Sequence, residues 1–264
     1  MTGTQAKDVR LYLLGGFELR VDGRSIPIMM APQRVVAFLA LRDRSLARTY
    51  VSGTLWPDTA MVRANANLRS ALWRLQRSCP IVIDASMQHL RLVPEVEVDL
   101  RSAVDIAHGL LEPAVSPANG ELDASARLQL SGDLLPDWDD DWLLMERERF
   151  HQLRLHALEL LCERLSNSGR YAAAVDAGLA AVRGEPLRET AQMGLIRAYV
   201  AEGNHTEAVR QYVRYEQMLK DDLGIEPSAE LRAVVDRGRV GPHGRDGRGS
   251  SDGLLRQRVA EYRW

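Results

Sequence analysis

The chain has little that would commit it to redox, metal or membrane chemistry. Its 264 residues hold two cysteines, Cys79 and Cys162, far apart and outside any Cys-x-x-Cys spacing. That usage suits a reducing compartment and argues against a disulfide or a zinc site. No apolar run follows a basic start near the N-terminus, and no stretch approaches the ~20 apolar residues of a membrane span, so the chain is expected to be cytoplasmic, without a membrane partner. There is no Gly-x-x-x-x-Gly-Lys loop to cradle phosphates, which leaves nucleotide hydrolysis unsupported. His151 and His156 are five apart with no glutamate between them, against the four of His-Glu-x-x-His. The acidic run "DWDDDW" (residues 137–142) lacks the ligand spacing and glycine of a calcium loop, and an acidic run before a helix is more simply a cap favoured by the helix dipole. No catalytic residues, cofactor or metal are therefore expected, and the chain does not read as an enzyme.

Lysine is also scarce. Of 34 basic residues only Lys7 and Lys220 are lysine, so nearly all positive charge sits on arginine, whose planar fork suits phosphate and guanine. A GC-rich genome would produce the same bias. The overall charge of −2 conceals an asymmetry. Residues 1–98 carry 13 Lys and Arg against 8 Asp and Glu, a balance of +5, and the remainder 21 against 28, a balance of −7. The basic part is the better candidate for contact with a polyanion.

A chain of this length, 45% hydrophobic and 27% charged, suits two soluble globular domains. Residues 1–8 read as a flexible start. In "VRLYLLGGFELRVDGRSIPI" Phe17, Leu19 and Val21 alternate with Glu18, Arg20 and Asp22, the period of half-buried strands, and Asp22-Gly23 is a hairpin signal. Pro32 fits the first turn of a helix continued by Val35, Phe38, Leu39 and Arg42. A shorter helix is expected over 48–56, ended by Pro57. Asp58 is a suitable N-cap for a third helix, with Met61, Leu68, Leu72 and Leu75 on one face. On the opposite face Arg63, Asn67, Ser70, Arg74 and Arg77 lie within about 40° of a common line. Arg69 is set beside them, whereas Asn65 falls on the apolar side without an evident reason. After Pro80, "IVID" and "LRLV" read as a hairpin with its turn at 85–88. Strands, three helices and a hairpin, in that order over 9–98, build a winged helix-turn-helix.

The second half is all helix. Leu161, Gly169, Ala174 and Val175 recur 34 residues later as Leu195, Gly203, Ala208 and Val209, a tetratricopeptide-like period. Two such units need neighbours to complete a core, and helices over 99–111 and 142–165 are expected to stack on them. Tyr199, Tyr212 and Tyr215 read as core. Residues 236–264, rich in Gly, Arg, Asp and Ser, read as disordered, with a short helix in "LLRQRVAEYRW".

An arbitrary basic amphipathic helix is more often a solvated one. Here no acid stands between Arg63 and Arg77, whereas ordinary surface helices intersperse glutamate for i,i+4 pairs, which favours DNA. Arginine would contact guanine or phosphate, and Asn67 adenine or the backbone. In the hairpin, Gln88, His89 and Arg91 would meet phosphate or the minor groove, or else form a solvent-exposed tip.

The motifs "LLGGFELRVDG", "PQRVVAFLAL", "LWPD" and "NLRSALWRLQR", followed by "LLPDW", "DWLLMERERF", "GEPLRETA" and the run ending "LGIEPS", resemble the Streptomyces antibiotic regulatory proteins over residues 9–235. These are activators with an OmpR-type winged helix followed by a bacterial transcriptional activator domain, here 99–235. The resemblance implies a dimer on direct repeats of double-stranded DNA near promoters of an antibiotic gene cluster, and recruitment of RNA polymerase. It places the DNA-contact helix at 59–77. Family wings commonly read Gly-Tyr-Arg-Leu where this chain has His89-Leu90-Arg91-Leu92. Larger relatives add an ATPase module, and two-component relatives a receiver domain; with neither here, control through abundance, or through a partner or ligand of the helical domain, is expected. The competing expectation is a repeat scaffold whose winged helix grips any duplex.

Overall fold

The computed structural model describes residues 8–111, 126–127 and 129–239. Its first part opens with strands β1 (Val9–Tyr12), β2 (Glu18–Val21) and β3 (Arg24–Ser25). The β2–β3 turn places Asp22 and Gly23 at φ of 50° and 75°, the doubly positive pair a two-residue hairpin needs. Helices α1 (Met30–Arg42), α2 (Arg48–Leu55) and α3 (Met61–Ser78) follow, with a two-residue strand β4 (Leu46–Ala47) between the first two. The hairpin β5 (Ile83–Ala85) and β6 (His89–Leu92) pairs Ala85 with Leu90 and Ile83 with Leu92, and β4 adds to its other edge. Strand β7 (Glu97–Val98) then returns parallel to β1, giving a four-stranded sheet ordered β3-β2-β1-β7. Val35, Phe38 and Leu39 of α1 and Leu68 and Leu75 of α3 close the core.

The helical part comprises α4 (Asp99–Leu111), α5 (Asp141–Asn167), α6 (Tyr171–Gly184), α7 (Glu189–Glu202), α8 (His205–Leu223) and α9 (Ala229–Arg239). The 34-residue repeat is the pair α5–α6 followed by α7–α8, with Leu161, Ala174, Leu195 and Ala208 all buried. Gly178 lets α6 approach α7 closely: a Cβ there would lie 3.1 Å from the Leu195 Cα. Tyr212 and Tyr215 are core residues, as expected, and burial pushes the Tyr215 phenol up to about 12. The fold is thus a winged helix-turn-helix followed by a tetratricopeptide-like domain.

Several local expectations are corrected. Asp58 does not cap α3; residues 57–59 form a turn in which the Thr59 amide donates to the Trp56 carbonyl, and the helix starts after Ala60. Met61 is half exposed instead of buried, its side chain lying against Ser52 and Gly53 of α2. Asn65 gains a reason: its Oδ1 accepts from the hydroxyl of fully buried Ser52 at 2.7 Å, tying α3 to α2. Asp8 is held by Asp22 through two backbone-directed bonds and does not belong to a loose start. Helix α9 runs to Arg239, past the expected end of order at 235; the rest of the tail and its suggested short helix lie outside the described residues.

Candidate nucleic-acid interface

Helix α3 has no acidic residue along its 18 positions. Its buried side is Ala64, Leu68, Ala71 and Leu75, so helical geometry turns the polar line outward. Arg63, Arg69, Ser70, Arg74 and Arg77 are exposed and Asn67 is half-buried. Among the described residues, none of these four arginines forms an ion pair; Arg74 reaches only the Met29 sulfur, at 3.3 Å, and Arg77 lies over the Trp73 ring at 4.9 Å. The helix therefore presents four uncompensated guanidinium groups to solvent, Arg63, Arg74 and Arg77 near one line and Arg69 about 80° beyond Arg77, a charge distribution a phosphate backbone attracts.

The hairpin stands beside this face. A groove of about 320 Å³ separates them, lined on one side by Arg69, Trp73 and Gln76 and on the other by Ile83 and Ala85, with Arg48 at its edge. Strand β6 alternates as pleating requires: Leu90 and Leu92 are buried, while His89 and Arg91 face out, as does Gln88 in the turn. Replacing the family's Gly-Tyr by His-Leu thus leaves a regular strand. Arg91 is less available than expected, since its Nε pairs across the hairpin with Asp84 at 3.0 Å. Arg48 was not singled out by the sequence. Its amide donates to the Gln88 carbonyl and its Nε to the Ser86 carbonyl, so α2 holds the hairpin turn from below.

The arginines at the junction of the two parts behave differently. Arg34 bridges to Asp140, and also donates to the Leu55 carbonyl at 2.8 Å; Arg42 pairs with Glu146 on α5. Arg147 donates to the carbonyls of Leu134, Leu135 and Trp138, pinning the "LLPDW" loop. The acidic run before α5 is hence no helix cap: Asp140 takes the N-cap position but bonds Arg34 and the Trp142 indole instead of a helix amide. That loop also extends the first sheet, through a bridge from Leu14 to Leu134 and bonds from the Leu135 amide to Leu13 and the Gly15 amide to Asp133. Gly132 is needed at this approach, because a Cβ would sit 3.1 Å from the Leu14 Cβ and 3.3 Å from the Gly15 amide. Asp99, at the start of α4, accepts from the amides of Leu13, Leu14 and Leu100. Burial raises its carboxyl above the ordinary range and these amides partly reverse that. Phe38 of α1 meets Trp142 of α5 edge-on at 5.2 Å, within an apolar cluster that spans both parts.

A winged helix followed by a helical-repeat domain, with this arginine-bearing helix exposed, can be set beside proteins of known role. Residues 108–237 match the family described as Bacterial transcriptional activator domain. The chain is 29% identical over 262 residues to the Transcriptional regulatory protein EmbR of Mycobacterium tuberculosis, covering 90% of this chain and 65% of the relative. It is 26% identical to the Regulatory protein AfsR of Streptomyces coelicolor, covering 87% of this chain and 24% of AfsR, and 24% identical to the Regulatory protein DnrI of Streptomyces peucetius, covering 85% and 89%. A solved structure of Mycobacterium tuberculosis EmbR in complex with a low affinity phosphopeptide superposes with a TM-score of 0.68 at 24% identity, over 97% of this chain and 70% of that one, which shows the shared fold. The chain thus spans about 65% of the length of the EmbR relatives. The resemblance to the Streptomyces antibiotic regulatory proteins, carried first by the motifs, is borne out by relatives named as regulators that match across both parts of the chain. Among the described residues no helix is long and apolar enough to cross a membrane.

Proposed function

We propose that the chain is a sequence-specific, DNA-binding transcriptional activator, with α3 in the major groove and the β5–β6 hairpin against the flanking backbone. The observation that carries this reading is the outward face of α3, whose four arginines have no carboxylate partner in a fold that pairs its junction arginines. Contacts from these arginines to phosphate would supply salt-dependent affinity, and Arg63, Asn67, Arg69, Ser70, Arg74 and Arg77 between them the choice of sequence. Gln88 and His89 face out from the hairpin and would meet the backbone; Arg91 would join them by exchanging Asp84 for a phosphate. The likeness to Streptomyces regulators supports a role in a secondary-metabolite gene cluster, with protomers paired on direct repeats and RNA polymerase as the second partner, in the cytoplasm. The helical domain would hold the winged helix in place through the shared core and offer surface to those partners.

The test is a gel-shift titration of the purified chain on duplex from its own upstream region and on a scrambled duplex of equal length, at two salt concentrations. Tighter binding to the upstream region that survives higher salt is the expected result. Equal, salt-sensitive binding to every duplex tried, including those from a genome-wide binding search, would support the scaffold reading in its place.

A further inference from the structure

The face of α3 that looks away from the core is not wholly polar. Val62 is 83% exposed and Trp73 57% exposed, and the two share one stripe of the helix. On a helical wheel Val62, Ala66 and Trp73 fall within about 40° of one another, between Arg69 on one side and Arg63, Ser70 and Arg74 on the other. Trp73 has neighbours that account for it: Arg77 stacks on its ring and it lines the groove toward the hairpin. Val62 has no such account. It stands in the first turn of α3, the end of a recognition helix that reaches base edges, and Ala66 follows one turn on.

A second copy of this chain, an apolar peptide or DNA would each cover an exposed valine. The charge of the surroundings separates them. Among the described residues Arg63 and Arg69 form no ion pair, and α3 has no acid, so an apolar peptide, or the α3 face of a second copy, would have to bury these cations unpaired. A duplex compensates them with phosphate and also presents an apolar group in its major groove, the 5-methyl of thymine. We infer that Val62, with Ala66 behind it, reads a thymine methyl group, making this pair a source of sequence choice alongside the arginines. The inference rests on the DNA-binding reading above.

Deoxyuridine differs from thymidine by that methyl alone. The full chain would be used to select a preferred duplex from a randomised pool, and each thymine of that duplex replaced singly by deoxyuridine. At one or two positions the replacement should weaken binding about fourfold, the effect of one methyl group buried against Val62. Val62→Ala, a substitution at an exposed helix position, should lose most of that uracil penalty. If every replacement is neutral while the selected duplex still outcompetes a scrambled one, the inference fails and the DNA reading stands. A uracil penalty undiminished in Val62→Ala gives the methyl contact to another residue and also overturns it. If no duplex is preferred, the reading beneath it fails first. A drop in oligomeric mass of Val62→Ala without DNA, in sedimentation velocity, would make the stripe a self-association face instead.

Discussion

The arginines of α3 and those of the domain junction are the same side chain in opposite circumstances. At the junction, Arg34, Arg42 and Arg147 are part-buried and engaged with carboxylates or backbone carbonyls; the first two link the parts and Arg147 pins the loop that meets the first sheet. On α3 the arginines are exposed, and among the described residues none pairs with an acid. Part-buried cations need partners, because desolvation is costly; exposed cations do not, and can be held ready for an external anion. The number of arginines says nothing about which role each plays, whereas the location of nearby acids does. The acids of "DWDDDW" lie where the junction needs them, and α3 has none.

Substitutions can break this contrast, starting with the largest effect. Phe38→Ala removes a fully buried ring that packs on Trp142 across the junction, and should lower stability by about 3–5 kcal/mol, read from denaturant unfolding. Arg34→Ala should cost about 1–3 kcal/mol of stability, leaving Asp140 and the Leu55 carbonyl short of a donor in a part-buried site. Arg74→Ala should reverse the pattern: unfolding shifts by less than about 0.5 kcal/mol, while specific duplex binding weakens by roughly 1–3 kcal/mol if the side chain is bidentate to guanine. Equal loss on target and random duplex would assign it to phosphate. The smallest effect sharpens the comparison at the hairpin, where Arg91 is exposed yet paired. Asp84→Ala releases it, and should strengthen duplex binding severalfold at low salt and steepen the salt dependence by about one counterion. Unchanged binding would show that Arg91 does not approach the backbone.

The fold was largely legible because its signals are local. The Asp22-Gly23 turn, the period of α3 and the 34-residue repeat each depend on residues close in sequence, and each appears where its pattern placed it. What stayed hidden was pairing over long separations. Asp140 looked like a cap for the adjacent helix, and only the fold brings Arg34 to it from 106 residues away. Asn65 looked misplaced until α2 set Ser52 against it. The motifs "LLGG" and "LLPDW", quoted separately for the family resemblance, prove to be two sides of one contact at the junction. The α3 face was legible as a charge pattern. Its apolar stripe is not legible there, because the exposure of Val62 and Trp73 depends on what the fold packs against them.

The central claim, that α3 keeps its arginines unpaired for a duplex, is tested most directly by the salt dependence of binding. The variant Arg63→Ala/Arg74→Ala/Arg77→Ala should unfold at the denaturant concentration of the parent chain, because none of the three is buried or in an ion pair. The plot of log affinity against log salt on a selected duplex should then be shallower by up to about three times 0.9, one counterion for each phosphate contact removed. A triple variant that folds normally and binds with the parent's affinity and slope would contradict the account and move the interface elsewhere on the molecule.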